Sequence, residues 1–203
     1  MSSPEDAAAV SSGSLNTRAL LDAAVARTIA VLAHEVRNAL GVVSMQVEAI
    51  SARVASQAPD LVKIQAHAGV ASEHIERLAD MTNSLIAFAR GRNSSDLAVM
   101  VGEAAALMPM RAVAVFRPTQ APFNLDSHLT RTAILEVLVL AIAHPSPPSF
   151  VVGSDQAGST VNVSVGAPLV VDEALEWVVQ FQKAGGRITP TEDGLCLQFP
   201  PIA

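Results

Sequence analysis

The sequence predicts an α+β chain in which a long antiparallel helical hairpin precedes a smaller domain of mixed helices and strands. Three observations lead there. Apolar residues recur at alternating three- and four-residue steps from Val25 to Val54, and the same rhythm returns from Leu61 to Ala89, a heptad-like pattern of paired helices. A Pro-containing break separates the two stretches. Beyond residue 93 the rhythm gives way to short alternating runs between shorter helical segments, the order of an α+β unit. Half the residues are hydrophobic but only 3% are aromatic, and Tyr is absent. The core must therefore be built mainly from Ala, Val, Leu and Ile.

Residues 1–15 are small and polar, ending in Ser11-Ser12-Gly13-Ser14, and read as a disordered tail. Asn16 and Thr17 are suitable N-cap residues for a first helix running to about Ala55. Its seam is Val25, Ile29, Leu32, Val36, Leu40, Val43, Val47, Ile50 and Val54. Ser56-Gln57-Ala58-Pro59-Asp60 is a short connection whose Pro and Asp suit the start of the next helix. That second helix carries Leu61, Ile64, Ala68, Ala71, Ile75, Leu78, Thr82, Leu85 and Ala89, and stops near Arg90-Gly91. Residues 16–92 thus form a hairpin. A lone hairpin cannot cover both of its apolar faces, so a homodimeric four-helix bundle is expected.

After Arg92-Asn93-Ser94-Ser95, residues 93–203 form the second domain. A short helix is predicted at about Leu97 to Leu107, then an extended Ala112-Val113-Ala114-Val115-Phe116 and a helix from about Ser127 to Ala143. Strands follow at Phe150-Val151-Val152 and Val161 to Val165. A helix over roughly Asp172 to Lys183, a Gly185-Gly186 stop and a strand at Leu195 to Phe199 complete the order.

A net charge of −6 argues against a general nucleic-acid binder, which would carry a basic surface. The acidic Met-Ser-Ser-Pro-Glu-Asp opening lacks the basic and apolar regions of a secretory signal. The longest apolar run, Ala133 to Ala143, contains Glu136 and falls well short of the ~20 residues needed to span a bilayer. Cys196 is the single cysteine, which excludes an internal disulfide and fits a reducing compartment. A cytoplasmic protein without a membrane segment is expected.

One residue stands out against this background. His34 lies about 200° around the first helix from Leu32, opposite the seam. Beside it come Ala23, Ala30, Gly41 and Met45, small or apolar where a solvated face would carry charge. An outward nucleophile within a smooth strip suits a protein docking surface, with Ala30, Gly41 and Met45 as docking positions. An isolated exposed histidine is usually a plain surface residue, so context decides. A zinc site fails on spacing, since His-Glu-x-x-His would need a second His where Asn38 stands. His67 and His74 are seven residues apart, about 10 Å along a helix, too far to grip one metal together. They are expected on the polar face of the second helix. His128 falls in the first turn of its helix, and His144 at that helix's end, near a favourable dipole.

Val31-Leu32-Ala33-His34-Glu35-Val36-Arg37-Asn38-Ala39-Leu40 resembles the H-box of two-component sensor histidine kinases, usually His-Glu-(Leu/Ile/Val)-Arg-Asn/Thr-Pro-Leu. Ala39 departs from the common Pro, which should leave the helix less kinked. The resemblance extends over the hairpin, and Arg77-Leu78-Ala79-Asp80-Met81-Thr82-Asn83-Ser84-Leu85 is similar to the end of the family's second helix. It implies that a Bergerat-type α/β sandwich, the kinases' ATP-binding domain, follows. The nucleotide contacts do not. Where the family places its two Asn residues, in the stretch Thr130 to Ala141, this chain has Glu136 and Leu140. One family Asn ligates Mg²⁺, and Leu140 has no oxygen to offer a metal. The family's Asp-x-Gly-x-Gly is replaced by Gly166-Ala167-Pro168-Leu169-Val170, and the glycine-rich lid is missing. Ala184-Gly185-Gly186-Arg187-Ile188 is similar to the His-Gly-Gly-Arg-Ile segment that ends the domain's last helix.

The chain therefore resembles histidine phosphotransferases built on a degenerate kinase fold, which shuttle phosphoryl groups between receiver-domain aspartates without ATP. The resemblance implies His34 as the phosphoryl carrier and response-regulator receivers, or the receiver of a hybrid histidine kinase, as partners. It implies no cofactor on this chain, the Mg²⁺ being held by the receiver. Glu35 would orient the imidazole and Arg37 would pair with phosphate or a receiver carboxylate; for both, a solvated helical face is the plain alternative. Two further functions stay open. Glu35-Val36-Arg37-Asn38 also fits a phosphatase pattern in which Asn38 positions water against an aspartyl phosphate, and a pseudokinase adaptor would only bind its partners.

Overall fold

The computed structural model describes residues 4–56, 58–90, 96–107, 114–116 and 121–201, with the side chains of 4–15 and 114–116 outside that description. Two long helices open the chain: α1 (Pro4–Val54) and α2 (Leu61–Arg90). They form the expected hairpin. α1 starts well before Asn16, through the segment read as a tail. Pro4 is a residue type suited to a first helical position, and Ala7-Ala8-Ala9 has the best helix propensity. Asn16 and Thr17 consequently lie inside the helix rather than at its N-cap. Asp60 sets the start of α2. Its carboxylate accepts from the Lys63 N–H at 3.1 Å, and its carbonyl accepts from the Ile64 N–H at 3.0 Å.

The second domain runs α3 (Leu97–Ala105), β1 (Ala114–Phe116), α4 (Ser127–Ile142), β2 (Ser149–Asp155), β3 (Gly158–Ser164), α5 (Glu176–Lys183), β4 (Arg187–Pro190) and β5 (Gly194–Phe199). Residues 92–95, and Ala112 and Val113 of the expected extended run, lie outside the described residues. The strands form one five-stranded sheet in the order β1-β2-β3-β5-β4, with β1 and β2 parallel and the other pairs antiparallel. Strand β4 is absent from the sequence expectations, because four residues ending in Pro carry little strand signal and its place is a sheet edge. α5 begins at Glu176 rather than near Asp172, since Asp172 closes a turn by accepting from the Ala174 N–H at 2.9 Å.

Alternation along the strands places Phe150, Val152, Val161, Val163, Leu195, Leu197 and Phe199 on the covered face of the sheet, as period two requires. α3, α4 and α5 cover that face. α4 is buried nearly all round, from Leu129 to Leu138, because α1, α3 and α5 also pack on it. The core is continuous: Leu21, Ala24 and Leu32 of α1 and Met81 and Phe88 of α2 belong to the same cluster as α3, α4 and the sheet.

Within the hairpin the covered residues of α1 are Leu21, Ala24, Thr28, Leu32 and Ala39, while Ile29, Leu40, Val47 and Val54 of the sequence seam are about half exposed or more. One chain therefore covers only part of the apolar surface that periodicity identifies. The exposed remainder continues on α2 at Leu61 and Ile75.

Candidate functional site

The segment around His34 is helical for local reasons. Ala, Leu, Glu and Arg dominate it and favour the helix, and no Pro interrupts it at Ala39. Thr28, Leu32 and Ala39 bury the inner face, and the Thr28 hydroxyl is satisfied by donating to the Ala24 carbonyl at 2.8 Å. Burial of that face directs the opposite one to solvent.

His34 is exposed, as are Ala30, Asn38, Gly41 and Met45. Their spacing puts them on one strip, with Asn38 one turn beyond His34 and Gly41 and Met45 continuing the line. A Cβ at Gly41 would meet no described atom within 4 Å. No packing among the described residues demands glycine there; its effect is to leave the surface beside His34 flat. Met45, at 60% exposure, ends the strip with a flexible apolar side chain suited to adaptable contacts. Ala23, by contrast, is half-buried.

Arg37 is exposed on one flank of this strip and Glu35 is half-buried on the other. A step of about 100° per residue separates neighbours around the helix, so Glu35 turns from the His34 face towards the packed side. The fold thus brings His34, Asn38, Ala30, Gly41 and Met45 together and sets Glu35 and Arg37 at the margins.

Of the remaining histidines, His67 and His144 have hydrogen-bond partners within the chain. His67 lies inside the hairpin rather than on a polar outer face. Its Nδ1 is 2.6 Å from Gln46 Oε1, and its Nε2 accepts from Arg53 Nε at 3.2 Å. His74 is half-buried as well, so both departs from the expected polar face. His128 is in the first turn of α4, and His144 beyond its end accepts from the Ser146 N–H at 3.4 Å.

Residues at the nucleotide-site positions of the kinase resemblance have structural partners. Glu136, 9% exposed, accepts from Arg27 Nε at 2.8 Å and from a second nitrogen of the same guanidinium. Leu140 is half-buried. In the segment after β3, Leu169 turns into the core and its N–H donates to the Gly194 carbonyl at 3.0 Å. The pairing of Arg27 with Glu136 is a contact that sequence reasoning missed. Its one signal, an arginine seven residues before His34, says nothing of a partner 109 residues away.

An apolar groove of about 350 Å³ runs along the hairpin, lined by Ile29, Leu32, Ala33, Val36, Met81, Thr82 and Leu85. Among the described residues no helix is long and apolar enough to cross a membrane.

No family model matches the chain, and no curated protein matches it. Among solved structures it is similar to the Acinetobacter baumannii histidine kinase AdeS, at 14% identity over 84% of this chain and 98% of that one, with a TM-score of 0.43. It is also similar to a structure described as a bacterial phosphotransferase, at 11% identity over 90% of this chain and 95% of that one, with a TM-score of 0.42.

Proposed function

We propose that this chain is a histidine phosphotransferase that relays phosphoryl groups between receiver-domain aspartates through His34. One observation carries the proposal: the histidine of an H-box-like stretch stands exposed in a flat strip of Ala30, Asn38, Gly41 and Met45, opposite the packed face of α1. A ring nitrogen of neutral His34 attacks the phosphorus of an aspartyl phosphate in line. The N–P bond forms as the bond to the aspartate oxygen breaks, and the carboxylate leaves. Attack by a second receiver's aspartate on the phosphohistidine returns the phosphoryl group to oxygen and frees the imidazole. The receiver brings Mg²⁺ and a lysine to neutralise charge, so this chain chiefly holds the nucleophile in place. Arg37, at the margin, is placed to pair with a receiver carboxylate or the phosphoryl group. No nucleotide takes part, in keeping with the engagement of Glu136 by Arg27 and of Leu169 by the core.

Two copies pair through the exposed seam, Ile29, Leu40, Val47 and Val54 of α1 with Leu61 and Ile75 of α2, closing a four-helix bundle in the cytoplasm. His34 stays outside that seam.

Mixing the protein with a radiolabelled phospho-receiver tests the proposal. Label on the wild type and none on His34→Ala is expected. Transfer that survives His34→Ala would overturn it, and label acquired from ATP alone would overturn the ATP-free mechanism. Asn38, one turn from His34 on the same exposed face, favours phosphatase action as the second reading. Free phosphate without labelled protein, lost in Asn38→Ala, would establish that reading instead; neither label nor phosphate would leave an adaptor.

A further inference from the structure

α4 is fastened to both helices of the hairpin by charged side chains set among apolar ones. Near its middle, Glu136 receives two hydrogen bonds from Arg27 of α1, with the Glu136 side chain 11% and the Arg27 side chain 50% exposed. Nearer its N-terminus, Arg131 has no exposed surface and donates to the Phe88 carbonyl of α2 at 3.2 Å. It also pairs with Glu103 of α3 at 3.0 Å and lies 4.8 Å over the Phe88 ring. Leu21 and Ala24 of α1 share one core with Ile134 and Val137 of α4.

The geometry points to a clamp: Arg27–Glu136 and Arg131–Phe88 lock the second domain to the hairpin as one rigid body. Two attachments at different heights, one to each hairpin helix, oppose rotation about either one. Loss of Arg27 would leave a largely buried carboxylate without its guanidinium, which a buried charge tolerates poorly. Glu136 stands where the kinase resemblance places a nucleotide-contacting Asn, and in this chain that position serves as an anchor. Arg27 precedes His34 by two turns, about 10 Å along the same side of α1. Arg27 and Glu136 are thus positioning residues that fix the phosphoacceptor relative to the second domain, a role resting on His34 being the phosphoacceptor.

Spin labels at Glu48→Cys on α1 and Asn162→Cys on β3, in a Cys196→Ser background, measure the lock by pulsed dipolar spectroscopy. Labelled protein is diluted into excess unlabelled protein so that only distances within one chain count. The unmodified pair should give one narrow distribution, which about doubles in width in Arg27→Gln as the domain gains hinge freedom. The exchange Arg27→Glu with Glu136→Arg should narrow it again. A broad distribution with the pair intact, or one equally narrow in Arg27→Gln, would overturn the clamp. Transfer from a phospho-receiver should fall in kcat/KM about tenfold in Arg27→Gln, as misplacement of a reacting group predicts, and recover in the exchange variant. Unchanged transfer despite a broadened distribution would overturn the positioning role. No label on the unmodified protein would overturn the proposed function, while the distance distribution would still decide the clamp.

Discussion

Arg131 and His34 place opposite demands on their surroundings. Arg131 is wholly buried, so its charge must be answered from within, by Glu103, the Phe88 carbonyl and the Phe88 ring. Arg131→Ala removes the charge and strands its partners, and should cost about 3–5 kcal/mol in urea unfolding. Phe88→Ala, which empties a fully covered ring site, should cost a similar 3–5 kcal/mol. His34 is exposed, and His34→Ala should move stability by no more than about 0.5 kcal/mol while abolishing phosphoryl acceptance. The contrast was partly legible beforehand. Helical angle sufficed to put His34 opposite Leu32, because it depends on neighbours alone. The partners of Arg131 lie 43 and 28 residues away, and no local pattern connects them.

At the scale of elements, caps explain why helices start and stop where they do. Asp126 accepts from the Leu129 N–H at 2.9 Å and caps α4, and Asp126→Ala should cost about 1 kcal/mol in thermal or urea unfolding. α5 ends in a turn where the Gly186 N–H reaches the Phe181 carbonyl at 2.9 Å and the Gly185 N–H reaches that of Gln182 at 3.0 Å. Gly185 has φ of 92°, and a Cβ on Gly186 would lie 2.5 Å from the Phe181 ring. Both glycines are therefore required, one by conformation and one by contact.

Asp60 adds a pH dependence to the start of α2. The Lys63 backbone N–H, then the Lys63 side chain, hold its carboxyl below the ordinary value of 3.8. With the folded value below the unfolded one, the contribution is complete above the unfolded value and disappears as pH falls through the folded one. Asp60→Asn should show a weaker acid loss than the wild type in urea titrations compared between neutral pH and about pH 3. The Pro-Asp start of α2 and the double glycine after α5 were readable in sequence, since turns and caps are local chemistry. The early start of α1 and the edge strand β4 were not. Small polar residues suit tail and helix alike, and a four-residue strand is defined by its pairing with β5.

For the whole molecule, the exposed seam makes the clearest demand. Leu40 is 53% and Ile75 54% exposed, on helices that are already packed along adjoining faces. Leu40→Glu with Ile75→Glu should convert the proposed dimer to a monomer in sedimentation while retaining helical circular dichroism, because each chain's own core excludes both positions. A monomeric wild type would contradict the proposed bundle.

The hairpin, its heptad rhythm and the outward direction of His34 were written in residue order, because helical periodicity and turn chemistry act over a few residues. Which seam residues one chain covers, and that Glu136 answers Arg27, depended on the fold. Those outcomes arise from surfaces meeting across 109 residues of chain, where burial and charge pairing select partners that spacing along the sequence does not encode.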